Sequence, residues 1–241
     1  MQPSLYVGVS AQVALLKRIE AIANNVANAS TAGFRAEEVK FESLLSQTLP
    51  DPTVFVSPGI TYLSRKSGEL MKTDNPFDVA VNGDAWFGIQ TPAGTVYTRD
   101  GRMRMLDTGE LQTLEGYPVL DVGGAQILLD PNGGEPRIAQ DGTVTQNNRQ
   151  IGALGLFTIP ETARLARAVN SGVVPDQPAA PALDFSKTGV AQGYVERANV
   201  NPVMEISKLI MLQRAFDAIA ASMSDSESSM QDAIKTLGET S

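Results

Sequence analysis

Cysteine and histidine are both absent from the 241 residues. Without cysteine there are no disulfides and no thiolate metal sites, and the redox compartment stays open. Without histidine the chain lacks the side chain most used for proton transfer and transition-metal binding near neutral pH. Aromatic residues make up only 6%, too few to build a broad stacking platform for sugars. Positive charge is also scarce, with 19 bases against 27 acids and a formal net charge of −8. No basic cluster exceeds two or three residues, so nucleic acid and anionic membrane surfaces are not expected as partners. No run of about 18 apolar residues exists to span a bilayer. The first 16 residues carry no charged side chain, but Lys17 and Arg18 follow the apolar part instead of preceding it. That is the reverse of a secretory signal's layout, so this end is expected to be retained.

What is present is a core's worth of apolar residues, 42% of the chain, and a change of period along it. Near the N-terminus Leu5, Val9, Gln12, Leu16, Ile19, Ala23 and Val26 alternate in steps of four and three, the stripe of a helix that pairs with another. At the C-terminus Leu209, Leu212, Phe216, Ile219, Met223, Ser226, Met230, Ala233 and Leu237 repeat the pattern. Asn201-Pro202 is a helix start, with Glu205 near the positive end of the dipole. Neither helix buries its stripe alone, and an isolated helix of about 24 residues is marginal in water. The ends therefore pack on each other, on other copies, or on a partner.

Between the ends the period becomes two. In "DGRMRM", Met103 and Met105 face one way and Arg102 and Arg104 the other. Asn82-Gly83, Pro92-Ala93-Gly94, Asp100-Gly101 and Asp141-Gly142 read as turns between hairpin strands. The proline-rich stretch 173–185 reads as an exposed loop or crossover. The fold class is thus mixed and mainly β, a central β-rich domain flanked by terminal helices. The expected divisions are a helix over 1–35, an extended connector over 36–74, a β-rich domain over 75–198 and a helix over 199–241.

Chemistry-bearing motifs are thin. Lys187-Thr188-Gly189 matches one element of serine β-lactamases, but no Ser-x-x-Lys supplies the nucleophile. Carboxylates are numerous without a locatable pair, and the Asp-Gly sites are accounted for by turn geometry. Trp86 and Phe87, opening an apolar strand, read as core rather than as a sugar platform. No enzyme activity, cofactor or metal is expected.

Three separated stretches carry a resemblance. "ANNVANASTAGFRAEEVKFESLL" (23–45) resembles the N-terminal signature of bacterial flagellar rod and hook proteins. "NPFDVAVNGDAWFGIQTPAGTVYTRDGRMRMLDTGELQTLEGYPVL" (75–120) is similar to their shared central β segment, and "ANVNPVMEISKLIMLQRAFDAIAASM" (198–223) to their C-terminal signature. Departures at Ala32 and Ala198 touch neither stripe. The resemblance implies that the terminal helices pair as a coiled coil in a tubular rod, with the β domain outside. It implies a structural, torque-transmitting subunit of the flagellar basal body, exported through the flagellar type III apparatus without signal cleavage and located in the periplasmic space. The implied partners are copies of itself, the proximal- and distal-rod proteins, and the export apparatus.

The expected assembly interface follows from stripes and motifs together. It comprises Leu5, Val9, Leu16, Ile19, Ala23, Asn24, Asn25, Val26, Asn28, Gly33 and Phe34 at the N-terminal end, and Asn199, Asn201, Leu209, Leu212, Phe216, Ile219, Met223, Met230 and Leu237 at the C-terminal end. The asparagines are the unusual members, because their amides compete with helical hydrogen bonds. Two readings account for them: a register-setting contact across a subunit boundary, or an ordinary helix end at which Gly33 permits a sharp exit.

Overall fold

The computed structural model describes residues 3–41, 43–46, 53–57 and 59–238, apart from the side chains of 3–5, 43–46, 53–56, 233 and 237. The chain forms two compact units. The first comprises 1–27, 37–62 and 201–241, and the second 28–36 and 63–200.

The first unit is built on two long helices, α1 (Pro3–Ala27) and α2 (Pro202–Gly238). Asn201 caps α2: its Oδ1 accepts from the Met204 N–H at 3.2 Å, and its carbonyl accepts from the Glu205 N–H at 3.0 Å. Pro202 takes the first helical position, where its missing N–H costs nothing. The helices pack against each other antiparallel, with Asn25 meeting Glu205 at one end and Gly8 meeting Met223 toward the other. A Cβ at Gly8 would sit 2.9 Å from the Met223 sulfur, the flexible end of that side chain. Four short strands accompany α1: β1 (Glu37–Lys40), β2 (Ser43–Ser46), β3 (Thr53–Val56) and β4 (Ile60–Leu63), paired as β1–β4 and β2–β3. Lys17 donates to the Gly59 carbonyl at 2.7 Å, and Tyr62 to Glu38 at 2.6 Å.

The second unit holds β5 (Leu70–Lys72), β6 (Val79–Asn82), β7 (Trp86–Thr91), β8 (Gly94–Thr98), β9 (Met103–Met105), β10 (Leu111–Thr113), β11 (Arg137–Ile138), β12 (Thr143–Gln146), β13 (Arg149–Ala153), β14 (Leu156–Thr158), β15 (Leu165–Arg167), β16 (Val173–Pro175), β17 (Ala180–Pro181), β18 (Gly189–Gln192) and β19 (Tyr194–Glu196). Its largest sheet has the order β15-β16-β8-β7-β14-β17. β7 lies inside that sheet and is buried on both faces, so its neighbours Phe87 and Trp86 enter different cores. Phe87 joins Val79, Ile89, Val119 and Leu156, while Trp86 joins Leu63, Ile159, Ala163 and Val173. Both aromatic side chains are core, as their sequence context predicts. Met103 and Arg104 divide between core and solvent as the period of two requires.

Several sequence expectations change. Only Pro92-Ala93 turns a hairpin among the three turns proposed between 82 and 101, joining β7 to β8 with Thr91 opposite Gly94. Asn82-Gly83 and Asp100-Gly101 are corners where the chain leaves one sheet for another: β6 pairs with β18, and β9 with β10. Asp100 is buried and binds Arg102 through both Nε and Nη2, which holds the corner. Hairpins missed in the sequence include Asn147-Asn148, between β12 and β13, and Asn170-Ser171, between β15 and β16, all four residues having positive φ. The proline-rich stretch 173–185 is not all loop, since it supplies β16 and β17. Prolines fit there because Pro175 ends its strand and β17 lies at the sheet edge, where a missing N–H breaks no ladder. Residues 36–74, read as an extended connector, carry β1 to β5.

Candidate assembly interface

The asparagines at the end of α1 find partners inside the chain. Asn25 is almost fully buried. Its Oδ1 accepts from the Glu37 N–H at 2.7 Å, while its Nδ2 donates to the Glu37 carbonyl at 2.9 Å and to Glu205 Oε2 at 3.3 Å. The amide thus substitutes for a strand neighbour of β1 and ties α1 to the start of α2. Asn24 donates to Glu37 Oε2 at 3.0 Å. Lys208 adds a 2.6 Å contact to Glu205 Oε1, so the buried carboxylate is neutralised from a second side. The hydrogen-bonding capacity that the sequence suggested for a subunit boundary is, at Asn25, used within this unit. Asn28 behaves as a helix end, its carbonyl accepting from the Thr31 N–H at 3.0 Å. Asn25→Ala is therefore expected to loosen the first unit by about 1–3 kcal/mol, because the Glu37 backbone groups lose buried partners. Faster limited proteolysis within residues 1–62, with the β unit intact, would register it.

Other members of the predicted set serve the second unit. Gly33 has a φ of 66°, and a Cβ there would lie 2.3 Å from the Asp100 nitrogen, so only glycine fits. Phe34 is buried, with the Arg167 guanidinium 4.2 Å from its ring centre. Asn199 accepts from the Ala36 N–H at 2.6 Å and donates to the Lys66 carbonyl at 2.8 Å. Asn201 is the α2 cap described above.

The apolar stripes divide. On α2 the side chains of Leu209, Leu212, Phe216, Ile219 and Met223 are half-buried. Ile219 and Met223 line a cavity of about 330 Å³ against Val7, Gly8 and Ala11 of α1. Met230 is more exposed, and Leu5 and Leu237 lie outside the described side chains. On α1 the buried positions are Ala14, Ala21, Ile22 and Asn25. Ile19 and Val26 are half-buried, whereas Val9, Leu16 and Ala23 are exposed. The seven-residue period located the apolar side of α1 but not the side the chain itself covers.

A buried charge cluster escaped the sequence reading. Glu196, fully buried, binds Arg35 Nη1 at 2.7 Å and Arg99 Nη1 at 3.2 Å, and accepts from the Gly68 N–H at 2.7 Å. The two guanidiniums lie 5.4 and 5.1 Å from the centre of the Trp86 ring. Burial, then the neighbouring Arg35 charge, push the Arg99 pKa down to about 10, while Glu196 pulls it back. Nothing in the local sequence around 35, 99 and 196 marks these charges as interior, because they meet only through tertiary folding. Among the described residues no group of acids could hold a metal, and no helix is long and apolar enough to cross a membrane.

Paired terminal helices with apolar surface to spare, enclosing in sequence a β unit whose two buried arginines share one buried carboxylate, fit a structural protein of the assembling kind. Family models describe the same three stretches. "Flagella basal body rod protein" matches 5–35, "Flagellar hook protein FlgE/F/G D1 domain" matches 80–146, and "Flagellar basal body rod FlgEFG protein C-terminal" matches 191–236. The chain is 53% identical over 241 residues to the flagellar basal-body rod protein FlgF of Mesorhizobium japonicum, covering all of both chains. It is 48% identical to FlgF of Rhizobium meliloti over 99% of each chain. Against FlgG of Buchnera aphidicola subsp. Schizaphis graminum it is 32% identical over 96% of this chain and 98% of that one. The chain belongs to the flagellar basal-body rod proteins, in the FlgF family, and is a structural subunit of the rod.

Proposed function

We propose that the antiparallel helix pair forms the coiled-coil layer of the rod, with the β unit as its outer layer, and that the assembled subunits transmit torque from motor to hook. The expected interface residues contribute in two ways on this reading. Leu212, Phe216, Ile219 and Met223 hold the pair together, while Val9, Leu16 and Ala23 face neighbouring subunits. Neighbours are copies of this chain and the proximal- and distal-rod proteins, including FlgG. The chain reaches the periplasmic space through the flagellar export apparatus with its N-terminus uncleaved, and acts as a structural element rather than an enzyme. The observation that carries the reading is the coincidence of the rod-family stretches 5–35 and 191–236 with the two helices, each of which keeps an exposed apolar face. The 53% identity to the Mesorhizobium japonicum FlgF, against 32% to the Buchnera FlgG, favours a place between the proximal and distal rod segments. Purified basal bodies carrying a tagged copy as the sole source should show label on the rod, between its proximal and distal segments. Label only at the distal end, or none on the rod, would overturn the placement.

A further inference from the structure

The second unit is discontinuous in sequence. Beside the run 63–200 it takes in nine residues, 28–36, whose chain neighbours on both sides, α1 and β1, belong to the first unit. These nine residues form neither helix nor strand, yet Ala32, Gly33, Phe34 and Arg35 are all buried. Their main-chain groups are satisfied by residues of the long run. The Gly33 N–H donates to the Glu196 carbonyl at 2.8 Å, and the Ala36 N–H to Asn199 Oδ1 at 2.6 Å. The carbonyls of Phe34, Arg35 and Ala36 accept from the Asn199 N–H, Arg167 Nη2 and the Ser64 N–H at 3.3, 2.9 and 2.8 Å. The side-chain positions are specified as closely. Gly33, with its φ of 66°, backs onto the Asp100 nitrogen, where no Cβ fits. Phe34 is 2% exposed under the Arg167 guanidinium. Arg35 is fully buried and reaches Glu196 and the Lys66 carbonyl, both at 2.7 Å, beside the Trp86 ring.

Main-chain hydrogen bonds that hold a short segment, together with pockets that read its side chains, are the physics of peptide recognition. We infer that residues 63–200 form a peptide-binding groove whose ligand is a segment of the type small–Gly–aromatic–Arg, filled in this chain by its own Ala32-Gly33-Phe34-Arg35. Its walls set the specificity. Asp100 excludes a side chain at the second position, the Arg167 guanidinium covers an aromatic face at the third, and Glu196 receives a cation at the fourth. Occupancy completes the unit: without the segment Glu196 faces Arg99 alone, and the Glu196 carbonyl and Asn199 N–H lose these partners. The β unit is finished only when a piece of the N-terminal region has been delivered to it. Tethering within one chain gives an effective concentration on the order of millimolar. Free peptide therefore does not displace the native segment, and the groove is open to an added ligand only when that segment is disabled.

Gly33→Val in the full chain puts a branched side chain where the Asp100 backbone leaves no room. Trp86 is the single tryptophan and lies against Arg35, so it reports whether the segment is seated. The variant is expected to unfold at a lower urea concentration than the unaltered chain, with Trp86 emission moved to longer wavelength. An acetylated and amidated peptide of residues 28–38, which has no tryptophan, should reverse both shifts saturably. The same peptide carrying Phe34→Ala and Arg35→Ala should reverse neither. Phe34→Ala in the full chain, which removes the ring and keeps the backbone geometry, covers the case in which Gly33→Val does not fold, and the native peptide should raise its midpoint too. A folded Gly33→Val chain matching the unaltered one in midpoint and emission would overturn the groove, as would no response of either variant to the native peptide. Equal rescue by both peptides would overturn its specificity for an aromatic and an arginine. Every readout is on the purified chain, so failure here leaves the assembly role proposed above standing.

Discussion

Glu196→Ala is expected to destabilise the β unit by about 3–5 kcal/mol, the cost of leaving buried charge without its partner. Glu196 is the shared counterion of Arg35 and Arg99, all three side chains being essentially inaccessible to solvent. Removing it leaves two guanidiniums beside the Trp86 ring without their shared carboxylate, with Asp84 at 3.9 Å from Arg99. The Gly68 N–H also loses its acceptor. Replacing Arg35 should cost less, because Glu196 then keeps Arg99 in a one-to-one pair. The single tryptophan sits inside the cluster and reports on it directly. Urea unfolding of the full chain, followed by Trp86 fluorescence, should show the midpoint falling sharply for Glu196→Ala and moderately for Arg35→Ala. An unchanged midpoint for Glu196→Ala would mean that the cluster contributes nothing to holding the unit together.

Phe216→Asp is expected to abolish swimming while leaving the β unit folded. Phe216 lies on the half-buried side of α2 with Leu212 and Ile219, the side that faces α1. A carboxylate there must either lose water, at several kcal/mol, or force the helices apart. The helix pair has little reserve against that. Its seam includes small residues such as Gly8 and Ala11, and neither helix is stable by itself. The β unit has its own core and should melt as before. Soft-agar motility together with a thermal melt of the purified variant separates the two effects. Normal swimming, with the variant present in basal bodies, would show that this side of α2 is not the seam.

The residues differ in how much of their role the sequence disclosed. Asn201-Pro202 could be placed as a helix start because capping is decided by neighbours within one turn. Gly33 could be placed at a sharp exit for the same reason, although the Asp100 backbone that excludes a side chain there lies far along the chain. Turns were legible as chain reversals but not as connections. Asp100-Gly101 has the residues of a hairpin turn, yet which strand each flank joins is settled by long-range pairing, and here the flanks join different sheets.

The helical ends, the β-rich middle and the rod-family motifs are legible in the linear order, because periodicity, caps and turn residues act over a few positions. Folding in three dimensions is what closes Asn25 on Glu37 and Glu205, brings Arg35 and Arg99 to Glu196 beside Trp86, and selects the side of each terminal helix that the chain covers for itself. A helix with two apolar sides has the same composition whichever side is covered. The choice depends on what packs against it, and that is fixed by contacts between residues as far apart as Asn25 and Glu205.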